Sequence, residues 1–175
     1  LEDSRDFLQM SEEQINTTPL PLPNSLRDNA VRRIRNFPKK FISLVEIVAV
    51  SRQELSEILI KEALYLIEPP IGFTAVEFAN CVEELTQADV LHCREIDDNR
   101  YLELSHLWLR EILLSTINKE KRRQYHRVLG KAQEVFYSND ITGVVENLAY
   151  HFERAEMFGK AYAYLRLASL KFKHR

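Results

Sequence analysis

Apolar residues in the first third of the chain recur at helical spacing. The first such segment begins at a capping residue, Asn24 or Ser25, and is predicted to end near Asn36, with its apolar side chains on one stripe: Leu26, Ala30, Val31 and Ile34. The second segment, residues 38–50, is apolar on nearly all sides, which a solvent-facing helix would not tolerate. We therefore expect residues 38–50 to form the central core helix.

Capping signals predict two further helices. Ser51 and Glu54 have the spacing of a capping box, in which a hydroxyl and a carboxylate satisfy the first free amides of a helix, and this helix is expected to run to about Ile67. Thr74 and Glu77 repeat the spacing. A fourth helix with one apolar face is therefore predicted after Thr74.

The hydrophobic pattern changes its period after the fourth helix. Residues 90–96 and 100–104 are typical of two short strands, and they flank an Asp-Asp-Asn turn. Helices followed by a single hairpin are the order of a winged helix. The sequence therefore predicts a mostly α fold with a winged-helix domain over residues 23–118 and one β-hairpin.

A winged helix raises the question of DNA binding, because the helix before its hairpin enters the major groove. That helix, residues 74–85, carries Glu77, Glu83 and Glu84 and no lysine or arginine. It would bring three negative charges against the DNA phosphates. Recognition of DNA bases by this helix is therefore disfavoured. A DNA-binding winged helix with a helical dimerisation region is the alternative interpretation.

Helical periodicity resumes after the hairpin, with segments at about 105–117, 119–137, 141–156 and 159–173. Small and large residues within 142–175 have the spacing of a tetratricopeptide repeat (TPR), in which two antiparallel helices pack through small side chains: Leu148, Ala149, Phe152, Ala161, Leu165 and Ala168. We expect TPR-like antiparallel helical hairpins over residues 119–175. A lone repeat leaves one helix face uncovered, so the natural chain is expected to continue beyond Arg175.

Composition narrows the class of protein. Hydrophobic residues make up 45% and charged residues 29% of the 175 positions, which excludes a disordered chain. Four glycines and six prolines are too few for the turns of a β-sandwich. Residues 1–22 are polar and end in alternating prolines, and an extended linker is predicted there.

Charge and cysteine usage indicate a soluble cytoplasmic chain. The 24 basic and 26 acidic residues give a net charge of −2, which provides no general attraction to nucleic acid or anionic lipid. The longest apolar run, Leu44–Val50, is interrupted by Glu46 and is too short to cross a membrane, and Leu1–Arg5 is too polar for a signal peptide. Cys81 and Cys93 can build neither a disulfide framework nor a zinc ribbon, so two buried free thiols are expected.

The sequence contains no recognisable catalytic motif. Its four glycines cannot form a phosphate-binding loop, and neither G-x-S-x-G nor H-E-x-x-H occurs. The His92-Cys93 pair lacks the further ligands that a metal requires, and His151 and Glu153, two residues apart, point to different faces of a helix. We therefore expect no enzymatic activity, no metal and no cofactor in this stretch of chain.

Two basic clusters are candidate docking surfaces. Each combines six basic residues with one acidic residue, the first around the predicted helix 24–36 and the second within residues 119–131. They form either solvated helix faces or a docking surface for an acidic partner, a nucleotide phosphate or the DNA backbone. The candidate residues are Arg27, Arg32, Arg33, Arg35, Lys121, Arg122 and Arg123.

The order of several segments resembles the region that follows the ATPase core in STAND-type signalling ATPases. Residues 102–111 look like the family's aromatic-x-His-x-x-x-Arg-Glu signature, with Leu104 at the aromatic position and His106 at the histidine. The first two helical segments precede this signature in the family's order. Residues 122–127 and 148–155 resemble the helical repeats downstream of it.

This resemblance implies that His106 reaches a nucleotide phosphate in an NTPase domain upstream in the same chain and helps to hold an ADP-bound closed state. ATP and ADP would then be ligands of the parent protein, and the helical repeats would bind a protein partner. Ser105 and Leu107 replace the commoner methionine and aspartate beside the histidine. The alternative is that His106 only caps the helix after the hairpin.

Overall fold

The computed structural model describes residues 24–173, with side chains described for residues 28–170. The predicted linker 1–22 and any continuation past the last residue lie outside the described residues. The fold is mostly helical with a small three-stranded antiparallel sheet. In chain order its elements are α1 (Asn24–Arg35), α2 (Lys39–Val50), β1 (Leu55–Ser56), α3 (Glu57–Tyr65), α4 (Ala75–Gln87), β2 (Leu91–Ile96), β3 (Asn99–Leu104), α5 (Leu107–Thr116), α6 (Lys119–Phe136), α7 (Val145–Arg154) and α8 (Phe158–Lys173).

Helix α2 is the centre of the core, as its pattern predicts. Every residue from Ser43 to Val50 is buried, and α2 contacts α3, α5, α6 and β3. Burial on all sides explains why its sequence lacks the polar stripe of a surface helix. One charged side chain, Glu46, lies within this buried stretch.

The segment after α2 differs from the prediction. Ser51 ends α2 instead of opening α3, because its N–H donates to the carbonyl of Ile47 and its side chain bonds locally to Gln53. The chain then forms β1, which pairs with β3, and the hydroxyl of Ser56 accepts the amide of Leu59 at 3.3 Å to cap α3. The predicted Ser51–Glu54 capping box is therefore wrong. Strand pairing with a distant segment outweighs the local helix signal.

The second predicted capping box is confirmed at the start of α4. The amide of Glu77 donates to Thr74 Oγ1 at 3.1 Å, and the amide of Thr74 donates to Glu77 Oε2 at 2.9 Å. Helix α4 buries Cys81, and burial raises the pKa of this thiol to about 12. Cys93 is only half-buried, so the expectation of two buried thiols holds for Cys81 alone.

The predicted hairpin is present as β2 and β3. Their register runs from Leu91 opposite Leu104 to Ile96 opposite Asn99, and β3 lies between β1 and β2 in the sheet. Asp97 and Asp98, at the turn, both have positive φ angles of 48° and 61°. Two successive left-handed residues make the tight turn that matches the twist of paired strands.

Helix α6 packs in the same apolar core as α2 to α5. The carboxylate of Glu46 accepts a hydrogen bond from the hydroxyl of Tyr125 at 2.7 Å and pairs with Lys121 Nζ at 2.6 Å. Burial raises the pKa of the Tyr125 phenol, which therefore stays a neutral donor. The charge inside α2 is satisfied by two side chains that α6 supplies, so α6 is tied to the core by polar as well as apolar contacts.

Helices α7 and α8 form a hairpin with its own small core of Leu148, Phe152 and Ala161. A close approach joins this hairpin to α6, since a Cβ on Gly130 would lie 3.0 Å from the Phe152 ring. Helix α7 starts later than predicted because Asp140 accepts the amide of Thr142 in a local turn. The predicted core residue Leu165 is 56% exposed, because it lies on the side of α8 that no described helix covers.

We expect Tyr125→Phe to lower the free energy of unfolding by about 1.5 to 3 kcal/mol, since it removes a hydrogen bond to a buried carboxylate. Urea denaturation followed by circular dichroism measures this change. Tyr162→Phe is the matched control because Tyr162 is 69% exposed, and it should leave stability nearly unchanged. Equal effects of the two substitutions would show that the bond to Glu46 contributes nothing specific.

Candidate functional site

His106 lies at the junction between β3 and α5. Its ring stacks on Trp108, with the ring centroids 5.4 Å apart and the planes inclined by 12°. Its Nε2 lies 2.9 Å from Oδ2 of Asp89, and the side chain is 42% exposed. The imidazole is thus fixed by a ring contact and a carboxylate while one side of it remains open to solvent.

The imidazole of His106 does not cap α5. His106 is the residue before the helix, with extended backbone, but its side chain makes no hydrogen bond to the first turn. Only its backbone carbonyl accepts an amide, that of Leu109 at 3.1 Å. His106 is therefore the N-cap residue by position, as the capping interpretation expects, but its ring turns towards Asp89 and does not cap the helix.

Asp89 is the site residue that sequence reasoning missed. It follows α4 with a positive φ of 55°, and its amide closes the helix end by donating to the carbonyl of Thr86. On the same turn the carbonyl of Ala88 accepts Arg33 Nη2 at 2.9 Å. Helices α1, α4 and α5 therefore meet around His106, and no spacing in the sequence indicates a pairing across 17 residues.

A cleft of about 80 Å³ opens beside His106, between the end of α2 and the start of α5. Arg52 and Arg110 line it, and Arg110 lies one helical turn beyond His106. Within residues 28–170 no carboxylate forms an ion pair with either arginine. Burial, reinforced by the nearby charge of Arg52, lowers the pKa of Arg110.

Two carboxylates also line the cleft, but both are engaged elsewhere. Glu54 accepts Arg94 Nη2 at 2.7 Å, and Glu103 lies 3.3 Å from the same nitrogen. Glu103 also faces His92 at 3.5 Å. Three arginines and two carboxylates therefore leave this group with a net positive charge, and neither carboxylate pairs with Arg52 or Arg110.

The predicted basic clusters do not meet at this cleft. In the first cluster Arg32 and Arg35 are exposed, Arg33 bonds to α4, and the Arg27 side chain lies outside the described residues.

In the second cluster the three candidate residues make internal contacts. Lys121 pairs with Glu46, and Arg122 donates to the carbonyls of Leu114 and Ile117. Arg123 Nη1 lies 3.1 Å from a carboxylate oxygen of Glu156, and its Nε donates to the carbonyl of Ala155. Lys121, Arg122 and Arg123 tie α6 to its neighbours.

A buried histidine pair lies behind the cleft, between α6 and α7. Nδ1 of His126 and Nδ1 of His151 are 3.0 Å apart, so one neutral ring donates and the other accepts. Burial lowers the pKa of both imidazoles well below 6.5, and nearby positive charges act in the same direction. For His151 these charges are Arg110 and Arg52.

We expect His106→Ala to lower the free energy of unfolding by no more than about 1 kcal/mol, because an exposed ion pair contributes little. Asp89→Asn should have an equally small effect, and Asp98→Asn, at another positive-φ aspartate, is its matched control. Thermal or urea denaturation measures these changes. A much larger loss would show that the ring contributes to the core, and binding data on the variant would then need correction for unfolding.

The histidine pair predicts a loss of stability at mildly acidic pH. Below about pH 6.5 the unfolded chain takes up protons on both imidazoles, whereas the folded protein does not, so stability is full above this pH and falls as pH decreases towards the lowered pKa values. At pH 5.5 the loss should be about 1 kcal/mol for each imidazole.

Urea midpoints between pH 7.5 and 5 measure this loss. His151→Gln should flatten the dependence, whereas His92→Gln, at an exposed histidine, should leave it unchanged. An unchanged slope in the His151 variant would contradict the assignment.

Comparisons with protein-family models, with curated proteins and with solved structures found no match. None of the helices that the structure describes is long and apolar enough to cross a membrane. Among the same residues, no group of three or more histidine, cysteine or acidic side chains is arranged to hold a metal ion.

Proposed function

We propose that the chain is a cytoplasmic, non-catalytic module of a STAND-type signalling ATPase, in which a winged-helix domain passes the nucleotide state of an NTPase domain of the same chain to TPR-like helices that bind a protein partner. The observation that carries this proposal is the placement of His106. Its imidazole contacts Trp108 and a carboxylate, yet it remains open to solvent beside a positively charged cleft. A group from another domain can reach it.

The topology supports the winged-helix assignment. The order of elements from α2 through β3, with a short first strand and the sheet order β1-β3-β2, is what we expect of such a domain. The α7–α8 hairpin supports the TPR-like assignment, since small residues such as Ala149 and Ala161 lie in its packing face.

The partner surface is proposed to lie on α8. Phe158, Tyr162 and Leu165 are exposed at helical spacing, which makes an apolar stripe on the outer side of the hairpin. An exposed apolar stripe of this kind is typical of a contact surface for a protein.

A series of neighbouring side chains leads from His106 on α5 to helix α7. Arg110 is one turn from His106 on α5 and lines the same cleft as Arg52. The Arg52 guanidinium in turn lies 4.2 Å above the Tyr150 ring on α7. A shift of α5 at His106 would change the repulsion between Arg110 and Arg52, and through Arg52 it would act on the contact with α7.

A nucleotide phosphate at His106 would compete with Asp89, because both are anions that accept from the same Nε2. Exchanging one acceptor for the other would release the turn after α4. In this way the presence of ADP could be read as a change in the contacts between α4 and α5.

Sequence-specific DNA binding is the less favoured function. Glu77, Glu83 and Glu84 are all exposed on α4, the helix that a winged helix would insert into the groove. The only cation that pairs with them among the described residues is Lys40, at 3.3 Å from Glu77. This surface would repel phosphates.

We expect His106→Ala to weaken ADP binding by about 10- to 150-fold in a chain that includes the nucleotide-binding domain, because a charge-assisted hydrogen bond contributes about 1.5 to 3 kcal/mol. Isothermal calorimetry measures the affinity. His92→Ala is the matched control, since it is also an exposed histidine facing a carboxylate. Unchanged ADP affinity in the His106 variant would overturn the proposed nucleotide contact.

A further inference from the structure

We propose that Arg52 and Arg110 form a binding site for a single phosphate group in the cleft beside His106. The site itself follows from the charges and shape of the cleft. Only its use for the phosphate of a nucleotide rests on the proposed function.

The first observation is a pair of guanidinium groups that no carboxylate among the described residues contacts. Two arginines beside the same sheet do have carboxylate partners, since Arg94 pairs with Glu54 and Arg100 with Glu57. Arg52 and Arg110 have neither a carboxylate nor a carbonyl partner within residues 28–170, although they line one cleft. Two like charges held together are unfavourable until an anion joins them.

The second observation is that Arg52 is already ordered. Its guanidinium stacks on Tyr150, and the adjacent Gln53 accepts a hydrogen bond from Asn147 Nδ2 at 2.6 Å. These two contacts fix the α2–β1 connection against α7. An arginine whose planar group is held in place loses less conformational entropy when it binds an anion.

The third observation is the size of the cleft, about 80 Å³. By this measure one water molecule needs about 10 to 15 Å³, so the cleft has room for an anion of several heavy atoms. Guanidinium groups recognise phosphate oxygens through paired N–H donors. Glu54 and Glu103 line the cleft as well, and their pairing with Arg94 limits their repulsion of the anion.

A phosphate held by both arginines would join the α2–β1 connection to α5. Because Arg52 also contacts Tyr150, the bound anion would stiffen the junction between the sheet-containing domain and α7. The site therefore gives the module a means of responding to phosphate that does not depend on the Nε2 of His106.

The experiment is a titration of the isotope-labelled 175-residue chain with inorganic phosphate at constant ionic strength, followed by NMR of the arginine Nε–H groups. The expected result is a saturable shift at Arg52 and Arg110. Arg52→Gln and Arg110→Gln should each weaken phosphate binding about tenfold or more. Arg127→Gln, which removes the same charge from an exposed position on α6, is the matched control and should leave binding unchanged.

Arg110→Lys tests the site without removing charge, and it should also weaken binding because a lysine lacks the paired donors. Absence of a saturable shift at tens of millimolar phosphate would overturn the site. An equal loss in the Arg127 variant would also overturn it, because attraction would then follow net charge alone.

Two further measurements distinguish a nucleotide phosphate from free phosphate, and the arginine site from the proposed nucleotide contact of His106. If ADP shifts the same arginine signals as strongly as free phosphate does, the site can bind the phosphate of a nucleotide. If only free phosphate shifts them, the ligand is the inorganic ion. The nucleotide contact is tested separately by His106→Ala in a chain that includes the nucleotide-binding domain. Unchanged ADP affinity of that variant in the longer chain would overturn the nucleotide contact and leave the arginine site standing.

Discussion

The structure depends on a carboxylate buried in its central helix. Glu46 lies in the stretch of α2 that is buried throughout, and an unpaired charge in such a place would be strongly unfavourable. Tyr125 and Lys121 remove that penalty, and both belong to α6. The core helix can therefore be buried only when α6 is in position, so the sheet-containing domain and the following helices fold against each other.

The position of α6 also determines the geometry of the candidate site. Once α6 is fixed, the close approach at Gly130 brings α7 alongside it, and Tyr150 on α7 then meets Arg52 at the end of α2. The positively charged cleft exists because these parts converge. His106 stands on its rim, where α5 begins.

The charges at the junction between α5, α6 and α7 also explain why the stability of the fold is expected to depend on pH. Among the described residues the pair formed by His126 and His151 has no carboxylate partner, and burial, reinforced by nearby positive charges, keeps both rings neutral by lowering their pKa values. An anion on Arg52 and Arg110 would lie close to this pair and would oppose that effect. Phosphate and protons would thus act on one junction between α5, α6 and α7.

The sequence by itself determined the features whose signals are local. The apolar periodicity of α2, the Thr74–Glu77 capping box and the Asp97-Asp98 turn each follow from interactions within a few residues. The sequence also drew attention to His106, through the resemblance of one short segment to a known signature. Helix positions and the hairpin were predictable for this reason.

Only the tertiary structure decided the contacts between distant segments. Strand β1 forms where a helix was predicted because β3 offers a pairing partner, and Leu165 is exposed because no described helix covers its side of α8. The pairing of His106 with Asp89 and the meeting of Arg52 with Arg110 and Tyr150 likewise join residues that share no spacing. Helix propensity and capping act over a few residues, whereas charge balance in a cleft depends on how whole elements pack.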